Sequence, residues 1–193
     1  MKTYEFINQY LEQTKMIADL IDQIQINRMI DILREVRVQD GRLFILGVGG
    51  SAANASHAVN DFRKIAKIQA YAPTDNVSEL TARTNDEGWD TTFSEWLKIN
   101  NLCEKDAVLV LSVGGGSEHA SPNIVSALKV AITHHSNILG IVSRDGGYTA
   151  KVADSCIIIP TIESNLITPH AEGWQGIIWH LIVNALKEEE DEY

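Results

Sequence analysis

Residues 42–52, RLFILGVGGSA, decide the fold. Their short apolar run ends in glycines, which predicts a buried β-strand over 42–48, and residues 52–65 then predict a helix. The same order returns along the chain, with further strands predicted over 107–112, 137–143 and 155–159 and further helices over 77–84, 91–100, 122–134 and 169–186. Strands that alternate with helices predict an α/β fold, with a mostly parallel sheet and helices on both of its faces.

The first forty residues lie before this alternating region. Apolar side chains recur there every three or four positions, from Phe6 to Ile21 and again over about 27–36, which predicts amphipathic helices. We expect their apolar faces to pack against a neighbouring subunit, so that the protein is a homo-oligomer. The length of 193 residues predicts one domain over 1–193, with N-terminal helices over 1–40 and an α/β core over 41–186.

The composition excludes several classes of function. A net charge of −10 without a basic stripe argues against nucleic-acid binding. No apolar run reaches the ~20 residues of a membrane helix, and the polar N-terminus lacks the pattern of a signal peptide. The two cysteines, Cys103 and Cys156, predict reduced thiols. We therefore expect a cytoplasmic protein that does not bind membranes, with a solvated acidic run over 187–192.

Two glycine-rich loops follow predicted strands, GVGGSA over 47–52 and SVGGGS over 112–117. Ligands of parallel sheets bind beyond the carboxyl ends of the strands. Helix N-termini bind anions through free backbone N–H groups, without any lysine or arginine. The loops therefore predict one anionic group held between them, with Ser51 as a hydroxyl donor. A tight strand–helix turn without a ligand is the plainer alternative.

A dinucleotide site is another alternative for the first loop, because Gly47, Gly49 and Ala52 satisfy the pattern G-x-G-x-x-[GA]. That pattern requires an acidic residue ~20 positions onward, at the end of the second strand. The nearest candidate, Asp75, lies further on, and no strand is predicted before it. Neither loop contains a G-x-S-x-G nucleophile elbow or a Walker lysine, which excludes those hydrolases and nucleotide kinases.

Four titratable side chains form two pairs on predicted helices. His57 and Asp61 stand four residues apart and share a helix face, and Glu172 and His180 stand eight apart and face roughly the same way. Two histidines and two carboxylates suit zinc or another borderline divalent ion. They suit proton transfer between a base and an acid equally well. A His–Asp pair at this spacing is also a common surface ion pair, so the residues alone leave these alternatives open.

Taken in order, these motifs resemble the phosphoheptose isomerases of the sugar isomerase (SIS) superfamily over nearly the whole chain. The matching motifs are Gly49-Gly50-Ser51, the helix with His57 and Asp61, Ser112-x-x-Gly-x-Ser117, Arg144-Asp145-Gly146-Gly147, and Glu172 with His180. The resemblance implies a three-layer, doubly wound, flavodoxin-like sheet. It also implies conversion of sedoheptulose 7-phosphate to D-glycero-D-manno-heptose 7-phosphate by a zinc-binding homotetramer with sites at subunit interfaces.

The resemblance also implies roles for individual residues. Asp61 matches the general base and His180 the partner acid–base, and His57, Asp61, Glu172 and His180 match the metal positions. The substrate and phosphate contacts that it implies are Gly49, Gly50, Ser51, Asn85, Asp86, Ser112, Gly114, Gly115, Gly116 and Ser117.

The chain departs from the family pattern at several of these positions. Asp61 stands where the family usually has the longer Glu, and Glu172 stands where Gln is common. In the second loop, Val113 and Gly114 replace two hydroxyl residues. The shorter base and the altered loop leave a second hypothesis beside the isomerase, a SIS-type module that binds a sugar phosphate without turnover.

Overall fold

Five strands and eight α-helices make up residues 2–188, the part of the chain that the computed structural model describes. The strands are β1 (Arg42–Gly47), β2 (Gln69–Tyr71), β3 (Ala107–Leu111), β4 (Asn137–Val142) and β5 (Ser155–Ile158). The helices are α1 (Thr3–Leu20), α2 (Gln23–Val38), α3 (Gly50–Lys64), α4 (Val77–Asp86), α5 (Thr92–Ile99), α6 (Pro122–Thr133), α7 (Gly147–Val152) and α8 (Ile167–Glu188). Residues 189–192 of the predicted acidic run over 187–192 lie outside the described residues.

The strands form one parallel sheet in the order β2-β1-β3-β4-β5. This order confirms the flavodoxin-like prediction. The chain moves from β1 to the edge strand β2 and then returns to the other side of β1 with β3. The order of the strands therefore reverses between β1 and β3, which is the place where such sheets bind ligands.

Two short elements lie outside the sequence predictions. Strand β2 has three residues and pairs with β1 through Arg42 opposite Gln69. It precedes Asp75, so the expectation that no strand stands there was wrong. Helix α7 has six residues and begins at Gly147, the last residue of the Arg144–Gly147 motif. Both elements are too short to produce a recognisable hydrophobic period.

Alternate residues of the strands face opposite layers, as a period of two requires. Leu43 and Ile45 of β1 pack with α2, α3 and α8, whereas Phe44 and Leu46 pack with α5, α6 and side chains of α7. The two clusters form the cores on either face of the sheet, which confirms the three-layer architecture. The layer with α3 and α8 carries both predicted pairs of titratable residues.

Helix α1 covers the α3–α8 layer incompletely. Ile17 is buried in that core, and Oε1 of buried Gln13 accepts from Nε2 of His170 in α8 at 2.9 Å. Tyr4, Phe6, Ile7 and Leu11 of the same helix remain exposed. No described helix combines the length and the apolar content that crossing a membrane requires.

Both cysteines are free thiols, as predicted. Cys103 lies on the surface, whereas Cys156 is partly buried beside the α5–α7 core. Burial raises the pKa of the Cys156 thiol to about 11, so this side chain stays neutral at physiological pH.

Candidate active site

Both glycine-rich loops lie at the point where the strand order reverses. The first loop leads from β1 into α3, where Gly49 takes a left-handed φ of 65° and the helix begins at Gly50. The first N–H groups of a helix have no acceptor within it. The backbone of Gly50 and Ser51 therefore presents donors at the carboxyl edge of the sheet, as the sequence predicted.

The second loop extends to Ser121, because α6 begins at Pro122 as predicted. A turn over 117–120, in which Ser117 N–H donates to Ala120 O at 2.8 Å, separates Ser117 from α6. The residue that directly precedes α6 is Ser121, with a φ of 56° and no side-chain capping bond. Ser121 was not among the predicted phosphate ligands, although the Ser-Pro pair at 121–122 is a typical helix start.

A cavity of about 980 Å³ opens between the two loops. The structure brings five predicted phosphate contacts together in its lining, namely Ser51, Ser112, Gly114, Gly116 and Ser117. Gly49 and Gly50 stand beside them at the start of α3, and Gly115 is buried behind the loop. Asn85 and Asp86 lie exposed at the end of α4 and do not line this cavity, so their contact with substrate stays a prediction.

The three serines of the cavity share one hydrogen-bonding arrangement. Ser51 Oγ accepts from Gln175 Nε2 at 3.1 Å, Ser112 Oγ from Gly115 N–H at 3.0 Å and Ser117 Oγ from Ala120 N–H at 3.0 Å. Each hydroxyl uses its oxygen as an acceptor, and none donates to an acceptor within residues 2–188. The three O–H groups are therefore available to an anion in the cavity.

The second loop is fixed by close packing of glycines. Gly115 has a φ of 69°, and a Cβ there would lie 1.9 Å from the carbonyl oxygen of Gly146. Behind it, Thr149 donates to the carbonyl oxygen of Gly115 through its backbone N–H at 3.0 Å and through Oγ1 at 2.7 Å. The start of α7 and the loop thus form one rigid unit, which explains why both segments are rich in glycine.

The lining of the cavity also carries positive charge. The cavity lining includes Arg144, Lys129 and Lys151, and the Arg144 Cδ atom lies 4.0 Å from the position of a Cβ on Gly114. None of these cationic residues was among the predicted phosphate contacts, which were glycines, serines, Asn85 and Asp86. Arg144 had a signal nevertheless, since it begins one of the motifs that carry the family resemblance.

The structure brings His57, Asp61 and His180 together between α3 and α8. One Asp61 oxygen, Oδ2, lies 3.5 Å from His57 Nε2 and 3.3 Å from His180 Nε2. Asp61 is buried, whereas both imidazoles reach solvent. The sequence placed these three residues in one candidate site, although His180 follows Asp61 by more than one hundred positions.

A backbone contact determines which nitrogen of His180 is free. His180 Nδ1 lies 2.7 Å from the carbonyl oxygen of Gly176, one turn earlier on α8. A carbonyl oxygen only accepts, so Nδ1 carries a hydrogen and Nε2 is the nitrogen that faces Asp61. A bare nitrogen and a carboxylate oxygen at 3.3 Å repel each other unless a proton or a cation lies between them.

These three side chains could hold a divalent metal ion. Tetrahedral zinc with ligand bonds of ~2.0–2.1 Å places neighbouring donor atoms about 3.3 Å apart. The observed separations from Asp61 Oδ2 are 3.3 and 3.5 Å, and the donor atoms of all three side chains lie within 4.8 Å of one another. The backbone bond at His180 Nδ1 is also the second-shell contact that zinc-binding histidines usually make.

Glu172 and His180, the two predicted metal ligands on α8, contact different parts of α3. Glu172 lies against Gly50 at the start of α3, where a Cβ would come within 2.5 Å of its carboxylate, and His180 lies against Asp61 near the end of α3. The two helices run side by side in the same direction. Eight residues separate Glu172 from His180 by about 12 Å along α8, so the role of Glu172 as a fourth metal ligand stays a prediction.

Comparison with known proteins finds relatives across most of the chain. The chain is 32% identical to the phosphoheptose isomerase of Aneurinibacillus thermoaerophilus over 161 residues, which cover 80% of this chain and 76% of the relative. It is 29% identical to that of Syntrophotalea carbinolica over 192 residues, 95% of this chain and 93% of the relative. No family model matches the chain.

Solved structures share the fold. The phosphoheptose isomerase of Neisseria gonorrhoeae superposes with a TM-score of 0.84 at 22% identity and covers 97% of this chain and all (100%) of its own. That of Francisella tularensis superposes with a TM-score of 0.82 at 21% identity. The three-layer sheet and its flanking helices are therefore the fold of these proteins.

Proposed function

The chain belongs to the phosphoheptose isomerase family, and on this premise we propose that it is an aldose–ketose isomerase of sugar phosphates. The proposed reaction converts sedoheptulose 7-phosphate to D-glycero-D-manno-heptose 7-phosphate. One observation carries the proposal, namely that α3 holds both ends of a site. Ser51 lies at the phosphate cavity, and His57 and Asp61 follow on the same helix, roughly 9 Å and 15 Å further along its axis.

The part of the site between the glycine loops binds the phosphate group of the substrate and takes no part in the proton transfer. Three serine hydroxyls there have O–H groups without an acceptor among the described residues, those of Ser51, Ser112 and Ser117. Arg144 adds a positive charge beside Gly114. Gln175 holds Ser51 in place because its own amide is fixed by Asn54, whose Nδ2 donates to Gln175 Oε1 at 2.8 Å. Hydrogen bonds from these serines and Arg144 to a phosphate would be charge-assisted. Such bonds fix the position of the phosphate and therefore of the carbon chain attached to it.

The other end moves protons. Asp61 takes a proton from C1 of the ketose and returns it to C2, so that an enediol lies between the two sugars. When no cation occupies the group, His180 Nε2 can carry the matching proton between the oxygens on C1 and C2, because its other nitrogen is bonded to Gly176 O. His57, Asp61 and His180 would hold a zinc ion, which supplies Lewis-acid stabilisation of the developing oxygen charge when bound. Formation of aldose from a ketose phosphate tests this function.

We expect about one zinc ion per chain at this group. Elemental analysis of gently purified protein and thermal unfolding with added zinc measure it. Binding of metal to the folded state raises the melting temperature by mass action. Protein that is free of metal and gains no thermal stability from zinc would contradict the metal site, while the phosphate cavity would be unaffected.

We also propose that the chain forms a homotetramer through its N-terminal helices. Exposed apolar side chains on α1, including Tyr4, Phe6, Ile7 and Leu11, support this. Ile177 and Leu181 extend an exposed apolar surface along α8 on either side of His180. Light scattering at micromolar concentration is expected to give a mass of several chains, and a monomer would contradict both the assembly and a site at a subunit interface.

Replacement of Ser117 by alanine is expected to weaken substrate binding. The change removes one hydroxyl donor from the cavity. A hydrogen bond to a charged acceptor contributes ~1–3 kcal/mol to binding, so its loss corresponds to a rise in KM of roughly 5- to 150-fold. The value of kcat is expected to stay nearly constant. Steady-state kinetics measure both, and Ser78→Ala, on the exposed face of α4, serves as the matched control. A fall in kcat at constant KM would contradict a phosphate contact.

A further inference from the structure

Trp179 contacts the group of His57, Asp61 and His180 but has no role in the proposed mechanism. The indole Nε1 of Trp179 donates to Asp61 Oδ2 at 3.1 Å, and Trp179 is only 2% exposed. Its ring stacks on His180, with centroids 5.0 Å apart, and meets the edge of His57 at 5.4 Å. One side chain thus contacts all three members of the group.

The two hydrogen bonds of Asp61 fix the orientation of its carboxylate. Trp179 donates to Oδ2, and Asn60 Nδ2 donates to Oδ1 at 3.0 Å. An indole N–H can only donate, and each carboxylate oxygen has about two lone-pair sites. Rotation of the carboxylate would break one bond or both. Oδ2 therefore keeps a single remaining lone-pair site, and that site faces the two imidazoles.

We propose that Trp179 is a positioning residue that presents Asp61 to the cation as a ligand through one oxygen. The inference rests on the metal site of the proposed function. Asp61 reaches towards α8 from α3, and Trp179 of α8 donates to its carboxylate.

The test compares two changes of tryptophan to phenylalanine on the same helix. Trp179→Phe removes an N–H that is bonded to Asp61. Trp174→Phe removes an N–H of a similarly buried residue, 8% exposed, for which no described residue is an acceptor. The two variants lose the same atoms and differ in whether the lost N–H had a partner.

Zinc affinity, measured by competition with a chromophoric chelator, is the readout. Second-shell partners typically contribute 10–100-fold to metal affinity, so Trp179→Phe is expected to bind zinc about 10- to 100-fold more weakly, and Trp174→Phe like the parent protein. Isomerase assays of Trp179→Phe are expected to show a lower kcat at nearly constant KM. Unchanged zinc affinity in Trp179→Phe, or an equal loss in both variants, would overturn the positioning role.

Failure of the premise gives a different result. Parent protein that binds no zinc would overturn the metal site itself, before any variant is compared. Where Trp179→Phe does not fold, 3-benzothienylalanine at position 179 replaces the N–H by sulfur in a ring system of the same size. The same loss of zinc affinity is expected from that substitution, and full affinity would overturn the proposal.

Discussion

Asp61→Asn is expected to lower kcat by about 10²–10⁴-fold, the usual contribution of a general base. The amide has the size of the carboxylate and can still accept from Trp179 Nε1, so the α3–α8 contact is expected to persist. It cannot take a proton from C1 of the sugar. Kinetics with saturating substrate measure the loss, and circular dichroism checks that the variant is folded.

The phosphate end provides the control for this prediction. Asp61 does not line the cavity between the glycine loops, so Asp61→Asn is expected to bind inorganic phosphate as the parent does. Asp31→Asn makes the same chemical change at an exposed carboxylate of α2, 2.6 Å from Arg34, and is expected to keep full activity. Substantial activity in folded Asp61→Asn would contradict its role as base and would leave His180 as the candidate.

Gly115→Ala is expected to destabilise the protein by roughly 2–5 kcal/mol. A left-handed φ costs a non-glycine residue ~1–2 kcal/mol, and forcing extra volume into a packed site typically costs 1–3 kcal/mol more. The added Cβ would lie 1.9 Å from a backbone oxygen of Gly146, so a side-chain movement cannot relieve the overlap. The start of α7 must then move away from the loop, and phosphate affinity is expected to fall with stability.

Gly173→Ala is the matched control, and its effect should have the opposite sign. Gly173 lies within α8, and a Cβ there would meet nothing within 4 Å. Alanine stabilises an exposed helix position by up to ~1 kcal/mol relative to glycine. Urea unfolding measures both variants. Equal stabilities for Gly115→Ala and the parent would show that the loop and α7 are not packed as described.

The sequence predicted the parts of the fold that have local signals. Strands β1, β3, β4 and β5 are buried apolar runs, and each lies within a residue or two of its predicted range. The three residues of β2 and the six of α7 are too short to carry such a signal. Both glycine loops were found because each follows a strand directly, and the strand order then brings them to one cavity.

The remaining parts of the site depend on contacts between distant segments. Gln175 reaches Ser51, and Trp179 reaches Asp61, only because α8 packs along α3. Neither contact has a sequence period or a motif from which it could be predicted. Glu172 and His180 share a helix face as predicted, yet this face is long enough for them to meet opposite ends of α3. The shared face of Glu172 and His180 on α8 therefore indicated that both contact the same helix. It did not indicate how far apart along α3 their contacts lie.

The most direct test of the proposed isomerase follows the reaction itself by NMR. Purified protein is incubated in D₂O with sedoheptulose 7-phosphate and, separately, with ketose 6-phosphates. We expect an aldose 7-phosphate that carries deuterium at C2, because the proton on Asp61 exchanges with solvent before it returns through the enediol. Binding of sedoheptulose 7-phosphate without any aldose would contradict the isomerase and would favour a module that binds sugar phosphates without turnover.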